Sequence, residues 1–359
     1  MGCSYGNLTD IFETTIWYIP YALFMSSALK FAVIGAGRIG LVHSGSVTDT
    51  SGATLEYVVD PIQASAERVA TQFGCKFSID PLKVINSGEI DAIIIGSPTP
   101  THLPLMEAAI DAGLHVLCEK PIDLEIKNVD RLREKINKAK TRVAIGFNRR
   151  LDPEFYAVKE RVNKGDVGKV EQVLIISRDP GPAPQAYIAV SGGIFRDMTI
   201  HDFDMARNFV PDIVEVSATG TNSFCDYIKE ENDFDNISVT MKGSSGEIVT
   251  IINSRHSAFG YDQRIEVFGD KGMLQTSNLT PTTVKYSTKG FASSQEPALE
   301  LFLDRYATSY RRELELFIKG INDGGVYNST YDDGRAALIL ADAAHESSRT
   351  GKIVSIQLK

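Results

Sequence analysis

A carboxylate and an imidazole stand at a spacing that suits proton transfer within residues 192–204. Asp197 and His201 lie four residues apart in a stretch whose pattern predicts a helix, so both side chains should leave one helix face. A carboxylate beside an imidazole raises the pKa of the imidazole and fixes its orientation, which suits a general base working near neutral pH. A catalytic role for this pair depends on elements upstream that would bind a reactant beside it.

A nucleotide-binding fingerprint lies upstream at residues 35–40, Gly-Ala-Gly-Arg-Ile-Gly, which we name the glycine turn. It follows an apolar run at 31–34 and leads into a predicted helix. The first glycine permits the tight turn, the second lets a pyrophosphate approach the backbone, and the third lets the helix pack on the strand. Asp60 ends the next predicted strand, where it would bind a ribose 2′-hydroxyl and favour NAD over NADP. Arg38 partly offsets that preference.

A lysine stands where an open α/β sheet places its ligands. Lys120 follows the predicted strand at 114–118, at the carboxyl end of that strand. Its ammonium can hydrogen-bond a reacting hydroxyl there, although sequence position alone also allows a surface lysine before a turn. A dinucleotide site, a lysine and the Asp197/His201 pair together predict alcohol oxidation by hydride transfer.

The loop at residues 97–102, Ser-Pro-Thr-Pro-Thr-His, follows a fully apolar run at 92–95 that predicts a central strand. It has two interpretations: contact with the cofactor, or capping of the next helix by Thr99 or Thr101. The predicted cofactor-binding set comprises Gly35, Gly37, Arg38, Ile39, Gly40, Asp60, Ser97, Thr99, His102, Glu119 and Lys120.

Metal binding is not expected. Residues 201–204 read His-Asp-Phe-Asp, but no HExxH motif or third histidine accompanies them. Asp202 would also point away from His201 on a helix. The remaining histidines outside the cofactor loop show no ligand spacing and are predicted to be structural or solvated: His43, His115, His256 and His345.

The composition excludes several classes of protein. The formal net charge of −9 argues against a nucleic-acid partner, because nucleic-acid binders carry basic faces. The 4 cysteines show no C-x-x-C spacing, so we expect reduced thiols in a cytoplasmic protein. Cys118 ends an apolar run and is predicted to be a buried strand-end cysteine and not a nucleophile.

Residues 1–28 fit none of the pattern that follows. Their apolar run at 16–25 is well short of the roughly 20 residues that cross a bilayer. No Lys or Arg precedes Lys30, whereas a signal peptide begins with a basic region. We expect a dispensable extension or a misassigned start, and no membrane association.

The order of predicted elements indicates an α/β protein of two domains, as 359 residues would allow. Over 29–147, short β-branched runs alternate with amphipathic helices, which predicts a six-stranded, doubly wound parallel sheet of the Rossmann type. Over 148–359, most strands follow one another without helices, which predicts an α+β domain with an antiparallel sheet. Its strands are predicted at 170–177, 214–219, 237–241, 247–253 and 264–268, and its last two helices at 299–321 and 332–348.

These motifs together resemble the glucose-fructose oxidoreductase / inositol dehydrogenase / rhizopine catabolism (Gfo/Idh/MocA) family, from about residue 29 to the C-terminus. The segments most similar to its inositol dehydrogenase branch lie at 146–150, 177–182, 192–204 and 260–269. The resemblance implies a catalytic trio of Lys120, Asp197 and His201. It also implies that the second sheet is open, that its domain binds substrate, and that the chain forms a homodimer or homotetramer.

The same resemblance implies a pocket for a small polyol. Its substrate-binding residues would be Lys120, Arg149, Asp179, Asp197, His201 and Tyr261. A further pocket position that is Tyr in some relatives corresponds to Phe259, which leaves the fine substrate preference open.

The expected activity is NAD-dependent oxidation of a ring secondary alcohol, first of all myo-inositol to 2-keto-myo-inositol (scyllo-inosose). His201 would be the base, Asp197 would orient it, and Lys120 would hold the substrate oxygen. One alternative is another inositol isomer or an aldose as substrate. Another is a non-catalytic dinucleotide-sensing protein of the same fold, and a third is glycoside cleavage through transient redox chemistry. A sensor would not need the whole Lys120/Asp197/His201 set.

Overall fold

The computed structural model describes residues 28–325, 327 and 329–358. The predicted extension over 1–28 therefore lies outside the described residues, apart from Ala28. Within the described ranges, no helix combines the length and the apolar character needed to cross a membrane.

In the described part of the chain, six parallel strands form the first sheet. They are β1 (Leu29–Ile34), β2 (Ala53–Val59), β3 (Lys76–Ser78), β4 (Ala92–Ile95), β5 (His115–Glu119) and β6 (Val143–Gly146). Their order, β3-β2-β1-β4-β5-β6, confirms the predicted doubly wound sheet. The chain reverses its direction of winding between β1 and β4, which is where such sheets bind nucleotides.

Helices cover both faces of this sheet, and β4 is therefore buried along its whole length, as its apolar run predicts. The helices are α1 (Arg38–Asp49), α2 (Gln63–Phe73), α3 (Pro81–Ile85), α4 (His102–Asp111) and α5 (Ile126–Lys138). The short α3 is absent from the sequence-based expectations. It begins at a local signal, because Asp80 accepts hydrogen bonds from the backbone N–H groups of Leu82 and Lys83.

The remaining described strands lie after residue 169. They are β7 (Val170–Arg178), β8 (Ile213–Thr221), β9 (Asn236–Gly243), β10 (Ile248–Ser254), β11 (Asp262–Gly269), β12 (Gly272–Gln275), β13 (Lys285–Tyr286), β14 (Ser294–Gln295) and β15 (Val354–Ser355). Strands β13 and β14 pair only with each other. The others form an open sheet in the order β12-β11-β7-β10-β9-β8-β15.

The second sheet is antiparallel at every described pairing except one. Strands β7 and β10 run parallel, so the sheet is mixed and the purely antiparallel expectation needs that correction. A parallel pair requires a long crossover, and the chain between these two strands supplies it through helices and two further strands. Strand β9 alternates buried and exposed residues, so one sheet face packs inward and the other does not.

Helices also follow the first sheet in the chain, and some of them lie against the inward face of the mixed sheet. They are α6 (Pro153–Asn163), α7 (Gln185–Ile188), α8 (Ile194–Asp197), α9 (Ile200–Phe209), α10 (Asp226–Glu230), α11 (Phe302–Asp323) and α12 (Tyr331–Thr350). The long α12 begins with a capping box between Thr330 and Asp333. The two long C-terminal helices agree with the helices predicted at 299–321 and 332–348.

Helix α11 packs against the first sheet, although it follows the second sheet in the chain. Leu314, Phe317 and Ile318 share one buried apolar cluster with Phe31 and Val33 of β1. The carboxyl-terminal third of the chain therefore helps to build the core of the nucleotide-binding unit.

Candidate active site

The glycine turn has the backbone that its sequence predicts. Gly35 has a φ of +104°, and a Cβ there would lie 2.7 Å from the carbonyl oxygen of Gly96. A Cβ on Gly40 would overlap the carbonyl oxygen of Gly35, so helix α1 packs directly on the turn. At Gly37 a Cβ would meet nothing within 4 Å. Two glycines are thus required by packing, and the third leaves the space in which a pyrophosphate can approach the backbone.

Asp60 lies against the glycine turn at the carboxyl end of β2. Its two oxygens accept hydrogen bonds from the backbone N–H groups of Ala36, at 2.8 Å, and Ile62, at 2.9 Å. The half-buried carboxylate is thereby held beside the turn, as the predicted recognition of a ribose requires. Arg68 of α2 reaches the Ala36 carbonyl oxygen at 3.5 Å and adds an exposed cation that no sequence motif marks.

The loop at 97–102 is organised by its own side chains. Ser97 Oγ and Thr101 Oγ1 are 2.6 Å apart, and the Thr101 hydroxyl donates to the Pro98 carbonyl oxygen. Thr101 precedes α4 but makes no capping hydrogen bond to it. The capping interpretation of this residue is therefore wrong. Thr99 lies in a 3₁₀ turn ahead of α4, half-buried, and its cofactor contact stays a prediction.

His102 joins that loop to the segment after Lys120. Its Nδ1 lies 2.8 Å from the carbonyl oxygen of Pro121, and its Nε2 lies 2.8 Å from that of Ser97. The residue is only 1% exposed, and burial lowers the pKa of its imidazole. Both ring nitrogens face carbonyl oxygens, so His102 holds these two segments together, and its contact with a cofactor stays a prediction.

Glu119 is buried at the end of β5 and contacts helix α1. Its Oε1 lies 2.8 Å from His43 Nε2, which ties the strand to the helix that follows the glycine turn. His43 is therefore structural, one of the two alternatives predicted for it. The neighbouring Cys118 is fully buried, and burial raises the pKa of its thiol, which confirms the prediction of a buried strand-end cysteine.

The helix predicted across Asp197 and His201 is broken between them. Helix α8 ends at Asp197 and α9 begins at Ile200. At the break, the Thr199 hydroxyl donates to Asn253 Oδ1 of β10 at 2.6 Å. The prediction of one continuous helix is therefore wrong: the Thr199 backbone N–H donates to the carbonyl oxygen of Ile194, five residues back, instead of making the i−4 bond of an α-helix.

Asp197 gathers donors from three other elements. Lys120 Nζ donates to its backbone carbonyl oxygen at 2.8 Å and lies 3.8 Å from its carboxylate Oδ1. The Tyr187 hydroxyl donates to Oδ1 at 2.8 Å, and Arg255 Nη1 donates to Oδ2 at 3.3 Å. Lys120 and Asp197 thus meet as predicted, at the carboxyl edge of the first sheet.

His201 is isolated from that carboxylate. Its Nδ1 is buried and has no hydrogen-bond partner within the described residues, and its ring packs edge-on against Phe147. Burial lowers the pKa of the imidazole well below its usual value, and the nearby charges of Lys120 and Arg149 lower it further. The expectation that Asp197 raises this pKa is therefore wrong. His201 is neutral at neutral pH, and its partial exposure leaves Nε2 as the nitrogen that can reach a bound molecule.

Arg149 and Tyr261, both predicted pocket residues, contact each other. Arg149 Nη2 donates to the Tyr261 hydroxyl at 3.3 Å, while its Nη1 donates to Asp202 Oδ1 at 2.7 Å. Arg149 is 4% exposed, so its ion pair with Asp202 is buried. Asp202 accepts two further hydrogen bonds, from Ser177 and Asn253.

Asp179 lies at the end of β7, where its backbone N–H donates to the Ser254 carbonyl oxygen at 2.9 Å. Burial raises the pKa of its carboxyl to about 6, opposed chiefly by Arg255. It therefore shares one charged cluster with the predicted catalytic residues. Phe259 is exposed.

The structure adds two site residues that sequence reasoning missed. Arg255 is buried and bridges Asp197 and Asp233, to which its Nη2 donates at 3.1 Å. It follows directly after β10, and the rule that ligands gather at strand ends could have flagged it. Tyr187 lies in a proline-rich loop whose sequence has no periodicity, so no pattern marks it. Over the described residues, no group of three His, Cys, Asp or Glu side chains is placed to hold a metal ion.

A nucleotide-binding sheet that carries such an acid–base cluster at its carboxyl edge defines a class, the NAD-dependent dehydrogenases that act on CH–OH groups. Comparison with known proteins places the chain within that class. Residues 29–147 match the Gfo/Idh/MocA oxidoreductase family with its NAD-binding Rossmann fold, and residues 155–275 match the C-terminal domain of that family. The chain belongs to the Gfo/Idh/MocA family.

Several similar proteins are named as inositol dehydrogenases. Inositol 2-dehydrogenase of Rhizobium meliloti (strain 1021) is 42% identical, over 91% of this chain and 99% of that protein. A crystal structure of a myo-inositol dehydrogenase from Corynebacterium glutamicum is 48% identical, with a TM-score of 0.89 over 92% of this chain and 99% of that one. The scyllo-inositol dehydrogenase of Lactobacillus casei, solved with NAD(H) and scyllo-inositol, is 27% identical, with a TM-score of 0.84 over 91% and 99% of the two chains.

Proposed function

We propose that this chain oxidises a secondary alcohol of an inositol ring with NAD, and that its principal substrate is myo-inositol, with 2-keto-myo-inositol (scyllo-inosose) as the product. The observation that carries the proposal is the meeting of Lys120 and Asp197 at the carboxyl edge of the nucleotide-binding sheet. The names of its relatives support the inositol ring as the substrate.

The residues of the glycine turn fit the proposed cofactor. Gly37 leaves open space at the start of α1, where unpaired backbone N–H groups favour a pyrophosphate. Asp60 stands beside the turn to bind a ribose 2′-hydroxyl, which supports NAD rather than NADP. When bound there, NAD supplies the hydride acceptor for the reaction.

The catalytic residues have distinct tasks in this proposal. Lys120 hydrogen-bonds the substrate hydroxyl oxygen, and His201 takes the hydroxyl proton on Nε2. His201 suits that task because its lowered pKa keeps it unprotonated at neutral pH. Asp197 holds Lys120 through its backbone carbonyl oxygen and places a negative charge beside the ammonium. Lys120 is the alternative base if His201 proves dispensable.

The pocket residues suit a ligand with several hydroxyl groups. Asp179 and Tyr261 offer a carboxylate and a phenol in the same charged cluster as Asp197. Arg149 is held in place by Asp202, so we assign it a fixed charge at the pocket wall instead of a flexible grip. A set of polar groups of this kind discriminates ring hydroxyls by their geometry.

A second candidate substrate is scyllo-inositol. The Lactobacillus casei relative that acts on it shares the fold over most of both chains. The pocket position that is Tyr in some relatives corresponds here to Phe259, which is exposed, and this difference keeps the choice between inositol isomers open. An aldose, a glycoside and a purely sensory function remain the weaker alternatives, because the site keeps Lys120 and Asp197 in contact.

One assay tests the proposal directly. NAD reduction is measured across myo-inositol, scyllo-inositol, chiro-inositol and glucose, with NADP as the alternative cofactor. We expect the highest kcat/KM for myo-inositol with NAD. A higher kcat/KM for scyllo-inositol would replace the substrate but keep the reaction class. NAD binding without reduction by any polyol would indicate a sensor. The oligomeric state, predicted as a homodimer or homotetramer, is measured in the same preparation by light scattering.

A further inference from the structure

Tyr187 touches the predicted catalytic carboxylate from outside the predicted catalytic set. It lies on the short helix α7, in the loop that leads from β7 to α8. Its hydroxyl donates to Asp197 Oδ1 at 2.8 Å, although the residue as a whole is 48% exposed. The hydroxyl thus points at the half-buried Asp197 carboxylate while much of the rest of the side chain stays exposed.

The hydrogen bond has a fixed direction. Burial of the hydroxyl and the adjacent negative charge of Asp197 both raise the pKa of the Tyr187 phenol, so it stays protonated and acts as the donor. A neutral donor on a carboxylate makes one of the stronger hydrogen bonds of a protein. The Tyr187 phenol is therefore the hydrogen-bond donor to Asp197 at neutral pH.

The second oxygen of that carboxylate is held from the opposite side. Arg255 Nη1 donates to Oδ2 at 3.3 Å, and Arg255 is itself held by Asp233. Tyr187 and Arg255 together determine the plane of the Asp197 carboxylate, and Lys120 approaches its Oδ1 at 3.8 Å. None of the described contacts connects this carboxylate to His201.

We propose that Tyr187 is a positioning residue for the reaction: it holds the Asp197 carboxylate beside Lys120 and away from His201. This inference rests on the proposed function, because it acts through Asp197. The loop ends at Gly192 and Gly193, both with a φ of +84°, so the backbone between α7 and α8 turns sharply enough to bring the two residues into contact.

The chain offers a matched control, a second tyrosine that contacts the same loop. The Tyr227 hydroxyl, from α10, donates to the carbonyl oxygen of Ala183 at 2.9 Å and so holds the loop without touching Asp197. Tyr187→Phe and Tyr227→Phe each remove one phenol oxygen and one hydrogen bond to this region. Only the first removes a hydrogen bond to the predicted catalytic carboxylate.

The experiment compares kcat, KM and NAD affinity for both variants, for Asp197→Asn and for Tyr187→Phe combined with Asp197→Asn. We expect Tyr187→Phe to lower kcat about tenfold to a hundredfold, as for a hydrogen bond to a charged group, with KM and NAD affinity nearly unchanged. Tyr227→Phe should leave kcat at the wild-type level. In the Asp197→Asn background, Tyr187→Phe should lower kcat little further, because the two residues act as one unit.

Other results overturn the inference. Wild-type kcat in Tyr187→Phe would show that the hydrogen bond has no bearing on turnover. An equal loss of kcat in Tyr227→Phe would show that the effect comes from the rigidity of the loop. Fully additive losses of kcat in the double variant would show that Tyr187 acts through something other than Asp197. Thermal unfolding of each variant checks that it is folded. If Asp197→Asn itself keeps full turnover, the proposed function of Asp197 fails; if it loses turnover and Tyr187→Phe does not, only the present inference fails.

Discussion

Burial is the main influence on the imidazole of His201, and it outweighs the effect expected from sequence spacing. Four residues of separation predict a carboxylate within reach of the ring. The structure instead directs the Asp197 carboxylate to Tyr187 and Arg255 and leaves His201 near two positive charges. Desolvation and those charges both disfavour the imidazolium, so the lowered pKa has a consistent physical cause.

The pH dependence of oxidation follows from that pKa. A general base must be deprotonated, so kcat/KM should stay level from neutral pH down through the usual histidine value of 6.5 and fall only below it. The measurement is kcat/KM for the polyol against pH at saturating NAD. Asp179, with a pKa raised to about 6, also titrates in this range, so Asp179→Asn is the control and should keep the same acid limb. An acid limb at or above 6.5 would mean that Asp197 pairs with His201 in the working enzyme.

Lys120 provides the second test at this scale. Its ammonium contacts Asp197 and lies outside the glycine turn, so Lys120→Met should leave NAD affinity intact and lower kcat about 10²-fold or more. NAD affinity is measured by direct titration and kcat by NAD reduction. Lys138→Met, on the exposed face of α5, removes a lysine whose ion-pair partner among the described residues is its helical neighbour Glu134, and it should change neither quantity. Parallel losses of affinity and turnover in Lys120→Met would identify this lysine as a cofactor anchor.

At the scale of elements, the six residues of the glycine turn include glycines required by packing and one that leaves room for a ligand. Gly35 and Gly40 are held by contacts with neighbouring backbone, whereas Gly37 faces open space with an ordinary negative φ. The motif therefore contains two structural glycines and one that leaves room for a ligand, in agreement with the physical reading of the pattern.

Alanine at these positions should separate the two functions. Gly40→Ala should lower the free energy of unfolding by about 1–3 kcal/mol, because its Cβ would overlap the Gly35 carbonyl oxygen. Gly37→Ala should unfold like the wild type but bind NAD about tenfold more weakly or worse, because its methyl group occupies the approach to the backbone. Urea denaturation without cofactor and NAD titration measure the two effects. Wild-type NAD affinity in Gly37→Ala would place the pyrophosphate elsewhere.

At the scale of the whole molecule, the last third of the chain completes the core of the first sheet. Helix α11 buries Leu314, Phe317 and Ile318 against strand β1 and its neighbours. Arg305 of the same helix forms a buried ion pair with Asp152, just before α6, at 3.0 Å. The predicted division at residues 147/148 stays a prediction, and these contacts show that the two halves of the chain share a helix.

A substitution in α11 should therefore destabilise the nucleotide-binding unit. Phe317→Ala leaves a cavity in the shared core and should lower the free energy of unfolding by about 3–5 kcal/mol. Phe268→Ala removes a ring of the same type that is 41% exposed on β11, and should cost far less. Urea denaturation with and without NAD measures both. If the Phe317→Ala protein unfolds like the Phe268→Ala protein, α11 is not part of this core in solution.

The sequence pattern predicted most of the larger elements. The apolar run at 92–95 coincides with β4, and the bounds predicted for the last two helices agree with those of α11 and α12 to within a few residues. The pieces it missed are short: β12, β15 and the β13/β14 hairpin lack enough residues for an alternation to show. The parallel pairing of β7 with β10 was also missed, since side-chain alternation is the same in either direction.

The sequence by itself determined the doubly wound sheet, the glycine turn with Asp60, and the position of Lys120 at a strand end. Each of these depends on residues close together in the chain, whose spacing is read directly. Only the tertiary structure decided the break between α8 and α9, the assignment of Tyr187 and Arg255 to Asp197, and the neutrality of His201. Burial and most of these contacts arise between residues far apart in the chain, and they outweigh local preference because a polar group removed from water must take whichever partner the fold brings to it.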